Sequence, residues 1–351
     1  MRAAMNTTYG APTVLSTTEV SRPAIGDHDV LVEVHASAVT QGDRRLRAAD
    51  YPGISRLLGR LMTGLIRPRH TVPGTMFAGR VAAVGNAVTR FREGEDVFGS
   101  AMRGAQAEYL AMPEDGAMAH MPANLGYAEA AATPYGAGTA LVFLRDLAKV
   151  QRGERVLIVG ASGGVGRFVV QLAHHLGAEV TAVCSRDQDL VRALGADHVI
   201  NYTEEDFTQN GQRYDVILDT HEGNRFRRNR GSLTPRGRYL SLYMSAGLLL
   251  QMLITAIFGG RRAITGVAIA NAEQMEAVQK LVAAGGVRPV IARRFGLEQI
   301  AEAHTFLEAS RPRGTVVVDV ASAATVSGEQ VSRLATRRVA VAEAKPQGLV
   351  A

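Results

Sequence analysis

The chain has a single cysteine, Cys184, no tryptophan, and 5% aromatic residues among 351. One cysteine rules out an internal disulfide framework and any multi-cysteine metal site, and it suits a reducing compartment. With so few aromatic side chains and no nucleic-acid motif, a nucleic-acid surface is not expected, although the formal charge is +6. That charge comes mainly from scattered arginines, among them Arg44, Arg45, Arg47, Arg225, Arg227, Arg228, Arg230, Arg261 and Arg262, which read as a solvated basic surface. The N-terminus, Met1 to Tyr9, lacks the apolar centre of a secretory signal, so a cytoplasmic protein is expected. The strongly apolar run Gly247 to Phe258 is shorter than the ~20 residues a bilayer span requires. It reads as a core helix, with a wall of a substrate cleft or a subunit contact as alternatives, and peripheral membrane attachment beside Arg261 and Arg262 as a minor one. Membrane contact is not expected, and a homodimer is left open.

What the chain does have is length and a glycine cluster. At 351 residues it is too long for one ordinary core, so two domains are the default. Val156 to Val159 is a four-residue apolar run, as in a strand buried on both faces of a parallel sheet. Gly160, Gly163, Gly164 and Gly166 follow at once, and then Val165, Phe168, Val169, Leu172 and Ala173 recur at helical spacing up to Gly177. Strand, glycine turn and helix are the setting a dinucleotide fingerprint needs. Gly160 makes the tight turn, Gly163 and Gly164 let a pyrophosphate approach the backbone, and Gly166 lets helix pack on strand. The free N–H groups of the helix start then face the phosphate charge. The spacing departs from the usual G-x-G-x-x-G, because Ala161 stands at one glycine position. A second strand (Ala178 to Cys184), a helix (Gln188 to Leu194) and a third strand (His198 to Tyr202) complete a βαβαβ unit.

The first ~122 residues read as short strands and turns, with strands at Val30–Ala36, Gly79–Gly85, Asp96–Gly99 and Ala107–Ala111. Ile54 to Leu65 has helical periodicity, and Thr40 to Arg45 reads as a loop. Helices are expected at Tyr127–Ala132 and Gly136–Leu147. Beyond the fingerprint unit, strands are expected at Asp215–Asp219, Arg238–Leu242, Ile264–Val267, Arg288–Ala292 and Gly314–Val320, and helices at Phe226–Ser232, Ala272–Ala284 and Leu297–Leu307. From about Ala321 the composition turns to Ala, Ser, Thr and Val, which suggests a loosely attached or disordered tail.

Six segments in order carry a family resemblance. They are Pro73 to Gly85, Phe91 to Gly99, Glu129 to Gly136, the fingerprint itself, Leu194 to Tyr202, and Tyr214 to Thr220. Together they make the chain similar to the medium-chain dehydrogenase/reductase superfamily, in its zinc-independent quinone oxidoreductase-like branch. The resemblance implies an α/β architecture, with a Rossmann-type doubly wound parallel sheet inserted in a GroES-like β-rich barrel domain. Residues 1–123 plus 288–321 would form the GroES-like substrate domain, 124–287 the Rossmann domain that binds NADPH, and 322–351 the tail. Zinc-dependent relatives carry an early cysteine, a Gly-His-Glu segment and a four-cysteine lobe. This chain has Ala38 to Asp43 without cysteine and Gly74-Thr75-Met76, so no zinc site is expected.

Without a Lewis acid, an isolated ketone is a hard substrate, because nothing stabilises the developing alkoxide. A quinone or an α,β-unsaturated carbonyl is easier. Hydride adds to the β-carbon, and donors in the site can hold the enolate. The resemblance therefore implies a small-molecule substrate of that class. The alternatives are an NADPH-binding sensor or scaffold without catalysis, and a reductase dedicated to one biosynthetic intermediate. Relatives carry Asn and Tyr near the positions of Thr40 and Arg45. Arg45 is a candidate to hold the enolate oxygen, though not a proton donor at neutral pH; otherwise it is a surface arginine paired with Asp43. Tyr135 and Thr139 occupy the segment that lies beside the nicotinamide in relatives. Tyr135 is then a candidate proton donor or a packed tyrosine. His221, after Asp219-Thr220, is a candidate donor or a plain loop histidine.

The cofactor-binding set is Gly160, Ala161, Ser162, Gly163, Gly164, Val165 and Gly166 at the turn, Thr139 beside the nicotinamide, and Ser185, Arg186 and Tyr202 at the adenosine end. An NADH enzyme commonly ends its second strand with a carboxylate for the ribose 2′-hydroxyl. Here Cys184-Ser185-Arg186 stands instead, which suits the 2′-phosphate of NADPH. The alternative is that Asp187 swings in to take the 2′-hydroxyl of NADH. Cys184 itself is expected in the core.

Overall fold

The computed structural model describes residues 1–51, 55–223, 225–310 and 312–321. Ile54 and the 322–351 tail lie outside the described residues. The first part of the chain runs β1 (Arg2–Asn6), β2 (Leu15–Glu19), β3 (Asp29–Val39), α1 (Gln41–Ala48), α2 (Ser55–Thr63), β4 (Met76–Val84), β5 (Asp96–Ser100), β6 (Tyr109–Pro113) and β7 (Met118–His120). β3 alternates over much of its length, and Val30, Val32, Val34 and Ala36 face an apolar cluster with Phe77, Val81 and Val97 or its neighbour. This is what period-two patterning demands of a strand with one covered face.

The expected loop at Thr40 to Arg45 is instead the start of a helix. Thr40 caps α1 by accepting from the N–H of Gly42 and Asp43, and Asp43 accepts from the Thr40 N–H in return. That reciprocal box satisfies otherwise orphaned donors and stabilises a short helix. α1 also corrects the reading of its arginines as a solvated surface. Arg47 is 2% exposed, donating to the Gly10 carbonyl at 3.1 Å and to Glu308 at 2.5 Å.

The second part comprises α3 (Tyr127–Ala131), α4 (Pro134–Ala140), β8 (Arg155–Val159), α5 (Gly166–His175), β9 (Glu179–Val183), α6 (Gln188–Ala193), β10 (His198–Ile200), β11 (Tyr214–Asp219), α7 (Phe226–Asn229), β12 (Leu233–Ser241), α8 (Ala246–Phe258), β13 (Arg262–Thr265) and α9 (Ala272–Ala283). The helix expected from Gly136 begins at Pro134, whose missing N–H suits a first helical turn, and widens into a π-helix over Leu141–Ala148. The six strands are all parallel, in the order β10-β9-β8-β11-β12-β13. Val156, Leu157 and Ile158 are fully buried because α5 and its neighbours cover one face while Tyr214, Phe226 and Tyr239 lie in the cluster on the other. Each large apolar side chain so placed contributes about 1.5–3 kcal/mol.

The chain then returns through β14 (Ile291–Gly296), α10 (Ile300–Ser310) and β15 (Thr315–Asp319). The expected strand at Arg288–Ala292 sits three residues later, because Gln171 takes the Arg288 N–H at 2.8 Å and Pro289 has none to give. β15 pairs antiparallel with β3, giving the second sheet the order β14-β15-β3-β4-β5-β7 with β6 alongside β3. The architecture is the expected one: a Rossmann-like parallel sheet inserted in a GroES-like β-rich lobe.

The apolar run forms α8 as a helix, but not a core helix, since Leu248 is its one buried residue. Cys184 does lie in the core, and burial pushes its thiol pKa up.

Candidate active site

The parallel strands all end at one edge, and the fingerprint turn stands there after β8. Gly160 has φ +77, a left-handed conformation that a Cβ would strain. A Cβ at Gly166 would lie 2.3 Å from the Gly160 carbonyl oxygen, so only glycine lets α5 start so close to the strand end. At Gly164 a Cβ meets nothing within 4 Å. The turn is thus tight where it touches protein and open where the backbone faces outward, the arrangement a bound pyrophosphate requires. Ala161 is completely buried, and its N–H donates to the Val183 carbonyl at 3.2 Å, so it serves the turn from inside. Ser162, Gly163 and Val165 complete the turn, with Gly163 N–H donating to the Gly160 carbonyl at 3.0 Å.

At the end of β9, Ser185 Oγ donates to the Tyr202 hydroxyl at 3.0 Å, which unites two candidates from separate strand ends. Arg186 is exposed and has no ion pair among the described residues. Asp187 is turned away. Its side chain is 7% exposed, with Arg313 Nε at 2.6 Å and the buried Arg167 at 3.6 Å. The alternative in which Asp187 takes a ribose hydroxyl would require breaking that buried ion pair.

A second group of side chains assembles from three segments. Tyr135 sits in the first turn of α4, and a Cβ at the next residue, Gly136, would lie 2.2 Å from the Phe168 ring of α5. That contact fixes Tyr135 close to the helix that begins at the fingerprint. The Tyr135 ring also lies against α1, since a Cβ at Gly42 would be 3.6 Å from its Cε2. Burial raises the Tyr135 pKa above its ordinary 10.0, and the nearby positive charge of Arg45 opposes the rise. The Arg45 guanidinium stands 5.2 Å from the centre of the Tyr243 ring, within cation–π range. Thr139 donates its hydroxyl to the Tyr135 carbonyl at 2.7 Å, one turn back along the helix.

Arg45 does not pair with Asp43. That carboxylate is fully buried and accepts instead from the Thr40 N–H at 2.8 Å, the Thr40 hydroxyl at 2.6 Å and the Thr75 hydroxyl at 2.9 Å. Burial raises its pKa despite these donors. Arg45 is left with no carboxylate partner among the described residues, and its charge is available to a ligand.

His221 stands apart from this group. It is exposed beyond the end of β11, with its N–H on Asp219 at 2.9 Å, and no contact joins it to Arg45 or Tyr135. Two members were missed from sequence. Tyr243 follows β12 by two residues and carries no motif; only a strand-end rule at the carboxyl edge of a parallel sheet could have flagged it. Thr75 replaces the histidine of zinc-dependent relatives, and its hydroxyl is committed to Asp43. Among the described residues no group of three His, Cys, Asp or Glu could hold a metal ion, so the residues present do not fit zinc.

Residues 26–143 match the model of the alcohol dehydrogenase GroES-like domain, and residues 194–318 that of the zinc-binding dehydrogenase. The chain is 30% identical over 335 residues to 2-methylene-furan-3-one reductase of Solanum lycopersicum, covering 91% of this chain and 79% of that one. It is 28% identical over 344 residues to the chloroplastic NADPH-dependent alkenal/one oxidoreductase of Arabidopsis thaliana, with the same coverage of 91% and 79%. Among solved structures it resembles the quinone oxidoreductase from Coxiella burnetii, with TM-score 0.79 and 28% identity over 92% of this chain and 99% of that chain.

Proposed function

Because the chain belongs to the medium-chain dehydrogenase/reductase superfamily, in its zinc-independent quinone oxidoreductase-like branch, we propose that it is an NADPH-dependent reductase of quinones or α,β-unsaturated carbonyls. The observation that carries this reading is the meeting of Arg45 and Tyr135, from separate segments, beside the start of the fingerprint helix. An unpaired guanidinium and a half-buried neutral phenol are what enolate chemistry asks of a site without a metal.

NADPH, when bound, supplies the hydride. The fingerprint backbone from Gly160 to Gly166 would hold its pyrophosphate, while Arg186, Ser185 and Tyr202 would take the adenosine 2′-phosphate. Arg45 would hold the substrate carbonyl oxygen and stabilise the negative charge that develops there. Tyr135, a phenol whose ordinary pKa of 10.0 is raised further by desolvation, is protonated at neutral pH, so it can pass that proton to the enolate carbon and recover one from water. His221 lies at the loop rim and is not assigned the proton. In this reading, 124–287 binds the nucleotide and 1–123 plus 288–321 closes over the substrate. Among the described residues no helix is long and apolar enough to cross a membrane, and a cytoplasmic location is part of the same proposal.

The test is NADPH oxidation with a quinone, a 2-alkenal and a saturated ketone, before and after treatment with a chelator. The first two should be reduced, the third should not, and chelation should change nothing. Tight NADPH binding with no turnover of any quinone or alkenal would replace this reading with a sensor or scaffold. Stoichiometric zinc, removable with loss of activity, would overturn the branch chemistry.

A further inference from the structure

α8 is built inside out. Its thirteen residues include no charged side chain, and its polar ones turn toward the protein. Thr255 Oγ1 accepts from the Ala263 N–H of β13 at 3.1 Å, and Gln251 is half-buried. Leu250, Leu253, Ile254, Ile257 and Phe258 face outward, with Ile257 69% and Phe258 82% exposed. Their spacing, i, i+3, i+4, i+7 and i+8, makes one continuous apolar stripe. A helix packed on a soluble protein has the reverse arrangement, and an exposed contiguous apolar patch marks a surface that something covers.

The charge around the stripe says what. Between Glu222 and Glu273 the chain has eight arginines and no aspartate or glutamate. Arg228 and Arg238 are neutralised by Asp206 at 3.0 Å and Glu154 at 2.5 Å, carboxylates from outside the stretch. Arg230, Arg236 and Arg262 are exposed with no ion pair among the described residues. The fold gathers them at the carboxyl end of α8. Arg261 Nε donates to the Leu233 carbonyl at 3.0 Å, tying the segment after the helix to the start of β12. Arg230 lies in the short 3-10 turn before Leu233, Arg236 is in β12, and Arg262 opens β13.

We propose that α8 is an interfacial anchor that lies in the plane of an anionic lipid bilayer. The apolar stripe enters the boundary between headgroups and acyl chains, and Arg230, Arg236 and Arg262 meet the lipid phosphates. Thirteen residues rise only ~20 Å at ~1.5 Å each, too short to span. A second copy is the poorer occupant, because a two-fold contact would bring the same arginines toward their mates with no carboxylate in this stretch to offset them.

The test is flotation of the full chain with vesicles of phosphatidylcholine alone and of equal parts phosphatidylcholine and phosphatidylglycerol. The chain should float with the mixed vesicles, not with the neutral ones, and high salt should release it. Arg236→Glu with Arg262→Glu should weaken binding by about tenfold or more, and Ile257→Gln with Phe258→Gln by a similar factor. Both variants should keep the native melting midpoint. If the apolar variant unfolds, the arginine variant, which alters only exposed and unpaired groups, decides the matter. No flotation, or equal flotation with both vesicles, overturns the proposal. So does light scattering that shows a native dimer made monomeric by Phe258→Gln, since a second copy then covers the stripe.

Discussion

The fingerprint turn presents backbone to its surroundings, whereas the Arg45 group proposed to meet the substrate is made of long side chains delivered by α1, α4 and the segment after β12. The turn is specified by what cannot be there: a Cβ at Gly166, 2.3 Å from a carbonyl oxygen, or any ordinary side chain at the φ of +77 of Gly160. The pocket is specified by what has been left over. Arg45 is free because Thr40 and Thr75 occupy Asp43, and Tyr135 is a neutral phenol held above its ordinary pKa of 10.0. The first kind of site tolerates no side chain at Gly160 or Gly166, where the turn is packed. The second survives substitution of its members, with lost chemistry rather than a lost fold.

That contrast can be broken by substitution, and the turn should give the largest effect. Gly166→Val should destabilise the protein by about 3 kcal/mol and abolish NADPH binding in a fluorescence titration. Gly164→Ala, where the added carbon meets nothing within 4 Å, should keep the melting midpoint. Equal effects at the two positions would mean that packing does not distinguish them.

In the pocket, Arg45→Gln should lower kcat by about a hundredfold with little change in NADPH affinity, as loss of one oxyanion-stabilising donor does elsewhere. Native kcat should not fall as pH rises from neutral toward 10, because the phenol of Tyr135 is held above its ordinary 10.0. An alkaline loss near neutrality that survives Tyr135→Phe would assign the proton to another group.

Arg186→Ala should weaken NADPH by about ten- to a hundredfold and spare NADH, the loss of one charge-assisted hydrogen bond. If both coenzymes weaken equally in isothermal titration, the arginine shapes the loop and does not select the phosphate.

The smallest effect concerns the support of α1. Buried Arg47 donates from Nη1 to His304 Nδ1 at 3.3 Å, and burial lowers the His304 pKa from 6.5 to about 3. The folded-state pKa lies below the unfolded value, so this contribution to stability is present above pH 6.5 and is lost as pH falls toward 3. The melting midpoint should therefore decline through mildly acid pH, and His304→Gln should flatten that decline. An acid decline of the same size in His304→Gln would assign the loss to another group.

These regions differed in how much their residues disclosed. The glycine turn, the βαβαβ order and the Ser185-Arg186 pair were legible because each needs only neighbours in sequence. The Ser185–Tyr202 contact was half legible, since parallel strands end side by side. Tyr243 was not, because nothing local distinguishes a pocket tyrosine from any other residue after a strand. The Thr40 capping box is present in the residues, yet the segment reads as a loop, since a helix so rich in arginine shows little apolar periodicity. The apolar run of α8 reads as core for the opposite reason. Hydrophobicity alone does not tell which way a helix faces, and only its inward Thr255 and Leu248 settle that.

β15 enters one strand in from the edge of a sheet that is otherwise built mainly from the first third of the chain, with Val317 opposite Ala38. During synthesis, therefore, the N-terminal strands emerge long before the strand that separates β3 from β14. Until then the Ala36–Val39 stretch of β3, beyond the part that β6 covers, stands open, and the parallel-sheet unit, whose strands are contiguous, can finish first. A ribosome stalled near Asp319, with β14 and β15 still held in the exit tunnel, should carry a protease-resistant parallel-sheet unit beside an N-terminal portion that is still cleaved.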